Sequence, residues 1–102
     1  MRDIPEQIHL LGGTFKIVTD PRSVALALDP EDCGCILSRQ NEIVLRTEGV
    51  ALRVLWECLI HEIIHHAEEE GKFEIDHDCV YRIAAVLTDF MERNGMLRRD
   101  SD

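Results

Sequence analysis

Two histidines four positions apart, with a glutamate directly after the first, form the segment His61-Glu62-Ile63-Ile64-His65. On an α-helix, side chains at this spacing lie on one face about one turn apart, so both imidazoles can bind the same metal ion. Zinc lowers the pKa of a bound water molecule towards about 7. Glu62 is then the expected general base, which takes the proton of that water during attack on a carbonyl. The segment therefore predicts a zinc site suited to hydrolysis.

A catalytic zinc ion usually has three protein ligands and an open position for water, so a third ligand is expected. The candidates for this ligand lie between the end of the motif and the first turn of the next predicted helix. They are Glu68, Glu69, Glu70, Glu74, Asp76, His77 and Asp78. His77 extends the apolar stripe of that helix, three residues before Val80 and seven before Ala84. We therefore predict His77 as the third ligand, with Asp78, Asp76 and Glu69 as alternatives.

Three further polar residues near the motif or in the strands have less defined roles. Tyr81 either donates a hydrogen bond to the oxyanion formed during hydrolysis or is an exposed helix residue. His66 follows the second motif histidine but points in another helical direction, so we expect it at the polar rim. His9 lies in a predicted strand, and we assign it no role.

The element that carries the motif is predicted to be a helix from Val50 to about Glu70, because apolar residues recur there at three- and four-residue steps and Gly71 is a natural stop. A second helix is predicted from Asp76 to Asn94, with Asp76 suited to the N-cap position. Its predicted buried face consists of Val80, Ile83, Ala84, Leu87, Phe90 and Met91.

The first half of the chain is predicted to form short strands. Ile8–Leu11 and Thr14–Val18 flank Gly12-Gly13, and Cys35–Ser38 and Glu42–Arg46 flank a polar turn, which indicates two hairpins. The segment from Ser23 to Leu28 is either a helical turn or part of a strand. The predicted fold class is α+β, with a small antiparallel sheet of N-terminal hairpins packed on two C-terminal helices, in a single domain that spans residues 1–102.

Composition restricts the partners and the location of the protein. Twenty acidic and eleven basic residues give a net charge of −9, which disfavours nucleic acid and anionic membrane surfaces, and the basic pair Arg98-Arg99 lies in a tail with two aspartates. No apolar run is long enough for a membrane span, and the N-terminal residues lack a signal-peptide pattern, so we expect a cytoplasmic protein.

The four cysteines are expected to be reduced thiols in the cytoplasm. Cys58 and Cys79 fall inside apolar helical patterns and are expected to be small core residues. The segment Cys33-Gly34-Cys35 lacks the second cysteine pair of a structural zinc site, so we do not expect it to bind metal.

From about Asp32 to Gly95 the sequence resembles the minimal zincin-like metallopeptidases of phages and bacteria, including those related to the ImmA/IrrE and SprT-like groups. The resemblance rests on the hairpin that ends in Glu42-Ile43-Val44-Leu45, the segment from Trp56 to Ala67, and the helix with Arg82-Ile83-Ala84. It implies zinc as the metal, His61 and His65 as ligands, Glu62 as the catalytic carboxylate, and a peptide or protein substrate. It also implies that Glu42 to Arg46 forms an edge strand that pairs with an extended peptide.

Three hypotheses about function are open on the sequence. The chain is either a zinc-dependent metallopeptidase or a non-catalytic, metal-stabilised module that binds proteins, such as a phage regulator of a host protein. In the third hypothesis the histidines bind no metal, because paired histidines on an amphipathic helix are often surface or capping residues. The glutamate between them and the apolar neighbours Leu59 and Ile60 favour metal binding. The sequence does not indicate an oligomeric state.

Overall fold

The computed structural model describes residues 4–10 and 12–97, so Leu11 of the first predicted strand and the basic tail after residue 97 lie outside the described residues. Four strands and three helices follow one another in the order β1 (Gln7–Leu10), β2 (Gly13–Val18), α1 (Pro21–Ala27), β3 (Gly34–Leu37), β4 (Glu42–Leu45), α2 (Leu52–Gly71) and α3 (His77–Arg93). A short 3₁₀ turn, Ser38–Gln40, joins β3 to β4. The α+β class is confirmed.

The sheet has the strand order β1-β2-β4-β3 and is mixed, so the prediction of a purely antiparallel sheet is wrong. Both predicted hairpins form, as the antiparallel pairs β1–β2 and β3–β4. The hairpins join through a parallel pair, in which Lys16 aligns with Glu42 and Val18 with Val44. Parallel strands need a crossover connection, and the ambiguous segment at Ser23 supplies it as helix α1.

Local signals explain the start of α1. Asp20 is its N-cap, and its carboxylate accepts a hydrogen bond of 3.0 Å from the backbone N–H of Ser23. Pro21 occupies the first helical position, where its missing N–H costs no hydrogen bond and its fixed φ suits the helix. The fold therefore contains a third helix in addition to the two that were predicted.

The parallel pairing also changes which strands form the edges of the sheet. β4 lies between β2 and β3, so the expected edge strand from Glu42 to Arg46 is an interior strand and that prediction is wrong. β1 and β3 form the two edges, and β3 is the edge strand that contacts α2. Among the described residues, β3 is thus the edge strand with the more extensive contact to the motif helix and the better candidate for strand addition.

The sheet has a hydrophobic core on each face. On one face the buried residues Phe15, Ile17, Ile43, Leu45, Cys58 and Leu59 join the sheet to α2. On the other face Val18, Val24, Leu28 and Val44 pack α1 against the sheet. Alternate residues of β4 enter different cores, as the two-residue period of a strand requires. Among the described residues, no helix is both long and apolar enough to cross a membrane.

Gly34 permits a close approach between β3 and α2. A Cβ atom at this position would lie 2.9 Å from Sγ of Cys58 and 2.8 Å from a methyl carbon of Leu45. Cys33 is therefore close enough to α2 to form a disulfide with Cys58, with the two Cα atoms 6.3 Å apart. The structure thus pairs two of the four thiols that were expected to be reduced, and Cys58 is buried in the core as expected. Cys79 is exposed and is not a core residue.

The helix ends match the predictions closely, except that a different residue adopts the left-handed conformation that ends α2. Asp76 and Asn94 flank α3 as its caps, although the Asp76 side chain caps no backbone N–H. The left-handed residue that ends α2 is Lys72, at φ 55°, and not Gly71. Gly71 is needed for space, because a Cβ atom there would lie 2.6 Å from the ring of Phe73.

The predicted buried face of α3 is only partly correct. Val80 and Ala84 are buried, but Ile83, Leu87 and Phe90 have exposed fractions of 38%, 42% and 53%. α3 packs on α2, which itself covers the sheet, so α3 buries a narrow stripe at four-residue steps, completed by Thr88. The Thr88 hydroxyl donates to the backbone carbonyl of Ala84, 2.7 Å away, which satisfies the buried hydroxyl within the helix.

Two matched substitutions on α3 test this orientation. We expect Val80→Ala to lower the free energy of unfolding by about 2 kcal/mol, because it removes two buried carbons and leaves a cavity. Val86→Ala, on the exposed face of the same helix, should change it by less than about 0.5 kcal/mol. Urea unfolding followed by circular dichroism measures both values, and equal losses would contradict the observed packing.

Candidate metal centre

The two motif histidines lie in the middle of α2 and face each other. Their Nε2 atoms are 2.9 Å apart, and their ring centroids are 4.6 Å apart. His61 is only 9% exposed. The helix therefore brings both imidazole nitrogens to one point, as the four-residue spacing predicts.

His77 joins this pair from α3. It is the first residue of that helix, and its Nε2 atom lies 3.4 Å from Nε2 of His61. The ligand nitrogens of His61, His65 and His77 all lie within 4.8 Å of one another. Among residues 4–10 and 12–97, this group contains none of the alternative third ligands.

The alternative third ligands are engaged elsewhere or stand apart from the cluster. Glu69 accepts a hydrogen bond of 3.4 Å from the Ser38 hydroxyl. The Asp76 carboxylate accepts a weak one of 3.9 Å from the Cys79 thiol. Asp78 is exposed in the first turn of α3, where an acidic side chain suits the helix dipole. The geometry therefore supports His77, chosen from its helical face, as the third nitrogen.

The two nitrogen separations measured from His61 are close to those around a single metal ion, and the whole set lies within 4.8 Å. Zn–N bonds of about 2.0–2.1 Å in tetrahedral geometry place neighbouring ligand nitrogens roughly 3.3 Å apart. The distances of 2.9 and 3.4 Å from Nε2 of His61 bracket this value. Two imidazole lone pairs that face each other repel unless a proton or a cation lies between them. A divalent cation bound by all three nitrogens removes this repulsion completely.

Glu68 orients the ring of His65. Its Oε1 atom lies 2.7 Å from Nδ1 of His65, and its Oε2 atom accepts a hydrogen bond of 2.6 Å from the backbone N–H of Ile75. The Ile75 hydrogen bond, followed by the one from His65, lowers the pKa of Glu68 below its usual value. An ionised carboxylate only accepts hydrogen bonds, so Nδ1 of His65 carries the proton in this contact, and Nε2 is the ring nitrogen that faces the cluster.

His61 occupies a more enclosed position. Burial lowers its pKa, and the neighbouring His65 and His77 rings lower it further. The ring is therefore neutral over a wider pH range, and neutral imidazole is the form that binds metal. Its Nδ1 atom is buried and has no hydrogen-bond partner among the described residues.

Glu62 is a buried carboxyl beside the three histidines. Its side chain is 7% exposed, and desolvation raises its pKa from 4.5 to about 7. The nearby His65 opposes this shift and the carboxylate of Asp32 adds to it. A carboxyl with a pKa near neutrality can both accept and return a proton at physiological pH.

A cavity of about 320 Å³ opens beside these side chains. Glu62, His61 and His77 line it together with Tyr81, whose ring centroid lies 4.6 Å from that of His61. The rest of the wall comes from the loop before β3 and from neighbouring turns of α2 and α3: Glu31, Asp32, Cys33, Gly34, Val54, Glu57, Cys58 and Ala84. Tyr81 is 60% exposed and also forms part of the cavity wall, and its hydrogen bond to an oxyanion stays a prediction.

Several of these positions were not predicted from the sequence. Asp32 and Glu31 lie about thirty residues before the motif and resemble ordinary loop acids, so no local pattern marks them. His66 was expected at the polar rim, but it is 4% exposed and packs edge-on against Phe15, with ring centroids 4.8 Å apart. This position follows from α2 burying a second face against the sheet.

Comparison of the chain with protein-family models, curated proteins and solved structures gave no match.

The raised pKa of Glu62 predicts a pH-dependent stability in metal-free protein. A carboxyl whose pKa is higher in the folded state binds its proton more tightly there, so stability falls as the pH rises from 4.5 to about 7. The full penalty, on the order of 3 kcal/mol, applies above that range. In the presence of a chelator, Glu62→Gln should be more stable than the wild-type protein at about pH 8 and should lose this advantage at about pH 4.

Denaturant unfolding of both proteins across this pH range measures the difference between their free energies of unfolding. The contributions of most other titrating groups are the same in both proteins and cancel in this difference. Glu69→Gln serves as a control, because it removes an exposed carboxylate from the same helix. A stability difference between Glu62→Gln and wild type that does not change with pH would contradict the burial of an ionisable Glu62.

Proposed function

We propose that the protein is a zinc-dependent metallopeptidase of the zincin type, as the sequence resemblance implies. His61, His65 and His77 hold the zinc ion, and Glu62 is the general base. The observation that carries the proposal is the convergence of three imidazole nitrogens beside a buried carboxyl in the wall of one cavity. Three protein ligands leave a fourth position for water, which is the arrangement of catalytic zinc sites.

In this mechanism zinc supplies Lewis acidity, which makes water more acidic and polarises the substrate carbonyl. The Glu62 carboxylate takes the proton of the attacking water and then gives it to the nitrogen of the leaving amine. Burial raises the pKa of Glu62 to about 7 without metal, and a bound zinc ion would favour the carboxylate form that accepts the proton. The ring of Tyr81 packs beside His61 and His77, and its proposed role is to donate a hydrogen bond from its hydroxyl to the developing oxyanion.

The substrate is proposed to be an extended peptide that pairs with β3. Within the described residues β3 has one paired side, towards β4, and its first residue, Gly34, lines the cavity. A peptide added to an exposed edge gains main-chain hydrogen bonds and brings alternate side chains to the same wall. Glu31, Asp32 and Glu57 make this wall acidic, which favours substrates with basic side chains.

Zinc content and peptide cleavage test the proposal together. We expect one zinc ion per chain, and His61→Ala, His65→Ala and His77→Ala should each weaken zinc binding at least about 100-fold, because only two nitrogens remain. Glu62→Gln should keep the zinc and reduce cleavage of a proteome-derived peptide library by about 10² or more, measured by mass spectrometry. Glu69→Gln is the matched control and should cleave normally.

A metal-stabilised binding module is the second candidate function, and one observation favours it. The three histidines join α2 to α3, so a bound metal stabilises the fold whether or not hydrolysis occurs. In this case the zinc-loaded protein retains peptides from the same library intact, and Glu62→Gln retains them equally well. Cleavage that depends on Glu62 contradicts the module and supports the peptidase.

The location in the cell stays a prediction. A cytoplasmic location predicts that Cys33 and Cys58 are reduced in the cell, because the cytosol keeps thiols reduced. The disulfide between them is the form that an oxidising compartment favours. Alkylation of acid-trapped thiols, followed by mass spectrometry, distinguishes the two forms, and a fully oxidised pair would contradict the cytoplasmic prediction.

A further inference from the structure

We infer that Glu68 is a positioning residue that fixes the His65 ring for metal binding and couples the metal centre to the start of α3. One carboxylate oxygen lies 2.7 Å from Nδ1 of His65 and the other 2.6 Å from the backbone nitrogen of Ile75. The inference rests on the proposed zinc site, but it does not depend on peptide hydrolysis. It assigns a role to one member of the acidic run Glu68-Glu69-Glu70 at the end of α2.

The first hydrogen bond selects the useful tautomer of His65. A histidine with a free Nδ1 exchanges its proton between two ring nitrogens, and only the form with the proton on Nδ1 can bind metal through Nε2. Glu68 accepts a hydrogen bond from the N–H at Nδ1, and this hydrogen bond also restricts rotation of the ring. Carboxylates that orient metal-binding histidines in this way commonly contribute 10- to 100-fold to metal affinity.

The second hydrogen bond reaches the other helix. Ile75 lies two residues before His77, in the segment that joins α2 to α3. One carboxylate holds both His65 and this segment. If the segment moves away from α2, the hydrogen bond from Ile75 to Glu68 breaks and His77 moves away from His61. Zinc binding and docking of the α3 start should therefore stabilise each other.

The neighbouring residues of the acidic run do not share this position. The Glu68 side chain is 13% exposed, whereas Glu69 and Glu70 are exposed residues. Both oxygens of Glu68 are used, one by Nδ1 of His65 and the other by the Ile75 N–H, whereas the nitrogen of His65 that faces His61 is Nε2. Glu68 therefore acts through His65 and does not bind the metal itself.

Glu68→Gln tests the positioning role because it keeps the size and shape of the side chain and changes its hydrogen bonding. The glutamine amide has one acceptor oxygen, so it cannot accept hydrogen bonds from His65 and Ile75 through two separate oxygens. We expect the zinc dissociation constant to rise about 10- to 100-fold, measured by competition with a chromophoric chelator. Glu69→Gln removes the same charge one residue away and should leave the constant within about twofold of wild type.

The ring tautomer of His65 gives a readout that a purely structural role would not change. In metal-free wild-type protein, ¹⁵N chemical shifts should show the proton of neutral His65 on Nδ1, and in Glu68→Gln they should show a mixture of tautomers. In addition, zinc should slow hydrogen exchange of the Ile75 amide in the wild-type protein, and by a smaller factor in the variant.

Two results would overturn the inference. One is a Glu68→Gln protein with wild-type zinc affinity, and the other is an unchanged His65 tautomer in a folded variant. The tautomer measurement uses metal-free protein, so it tests Glu68 even if the wild-type protein binds no zinc. Failure to bind zinc would instead overturn the proposed function.

Discussion

The packing of the first turn of α3 against the middle of α2 is the contact on which the candidate metal centre depends. His61 and His65 face one another through helix geometry alone, but the third nitrogen arrives only because the chain reverses after Lys72 and returns along the same helix. The reversal is short and is held by the two oxygens of Glu68. The metal centre and the α2–α3 connection are therefore one structural unit.

This arrangement carries an electrostatic cost that a bound cation would offset. Glu62 and His61 are both buried, and burial disfavours their charged forms, as the raised pKa of one and the lowered pKa of the other show. A divalent cation among the three nitrogens favours the ionised carboxylate of Glu62 and removes the repulsion between lone pairs. The same groups that reduce stability without metal become favourable with it, which is common at functional sites.

The mixed sheet determines which part of the surface a partner can reach. Parallel pairing of β2 with β4 puts β4 in the interior and leaves β3 as the edge beside α2. Gly34 allows β3 to approach α2 closely, and the loop before it adds Asp32 and Cys33 to the cavity wall. The acidic cavity, the free edge and the histidines therefore lie on the same side of the protein.

Local periodicity in the sequence predicts both long helices and their ends, both hairpins, and the common helical face of His61 and His65. The approach of His77 to them depends on the packing of α3 on α2. Pairing between hairpins is not local, so only the tertiary structure decided the parallel β2–β4 pair and the edge position of β3. The predicted buried face of α3 is too wide, because the width of an apolar stripe in the sequence does not show how much of it a neighbouring element covers. The positions of Glu68 and Asp32 likewise depend on how distant segments pack, since each is an ordinary acidic residue in sequence.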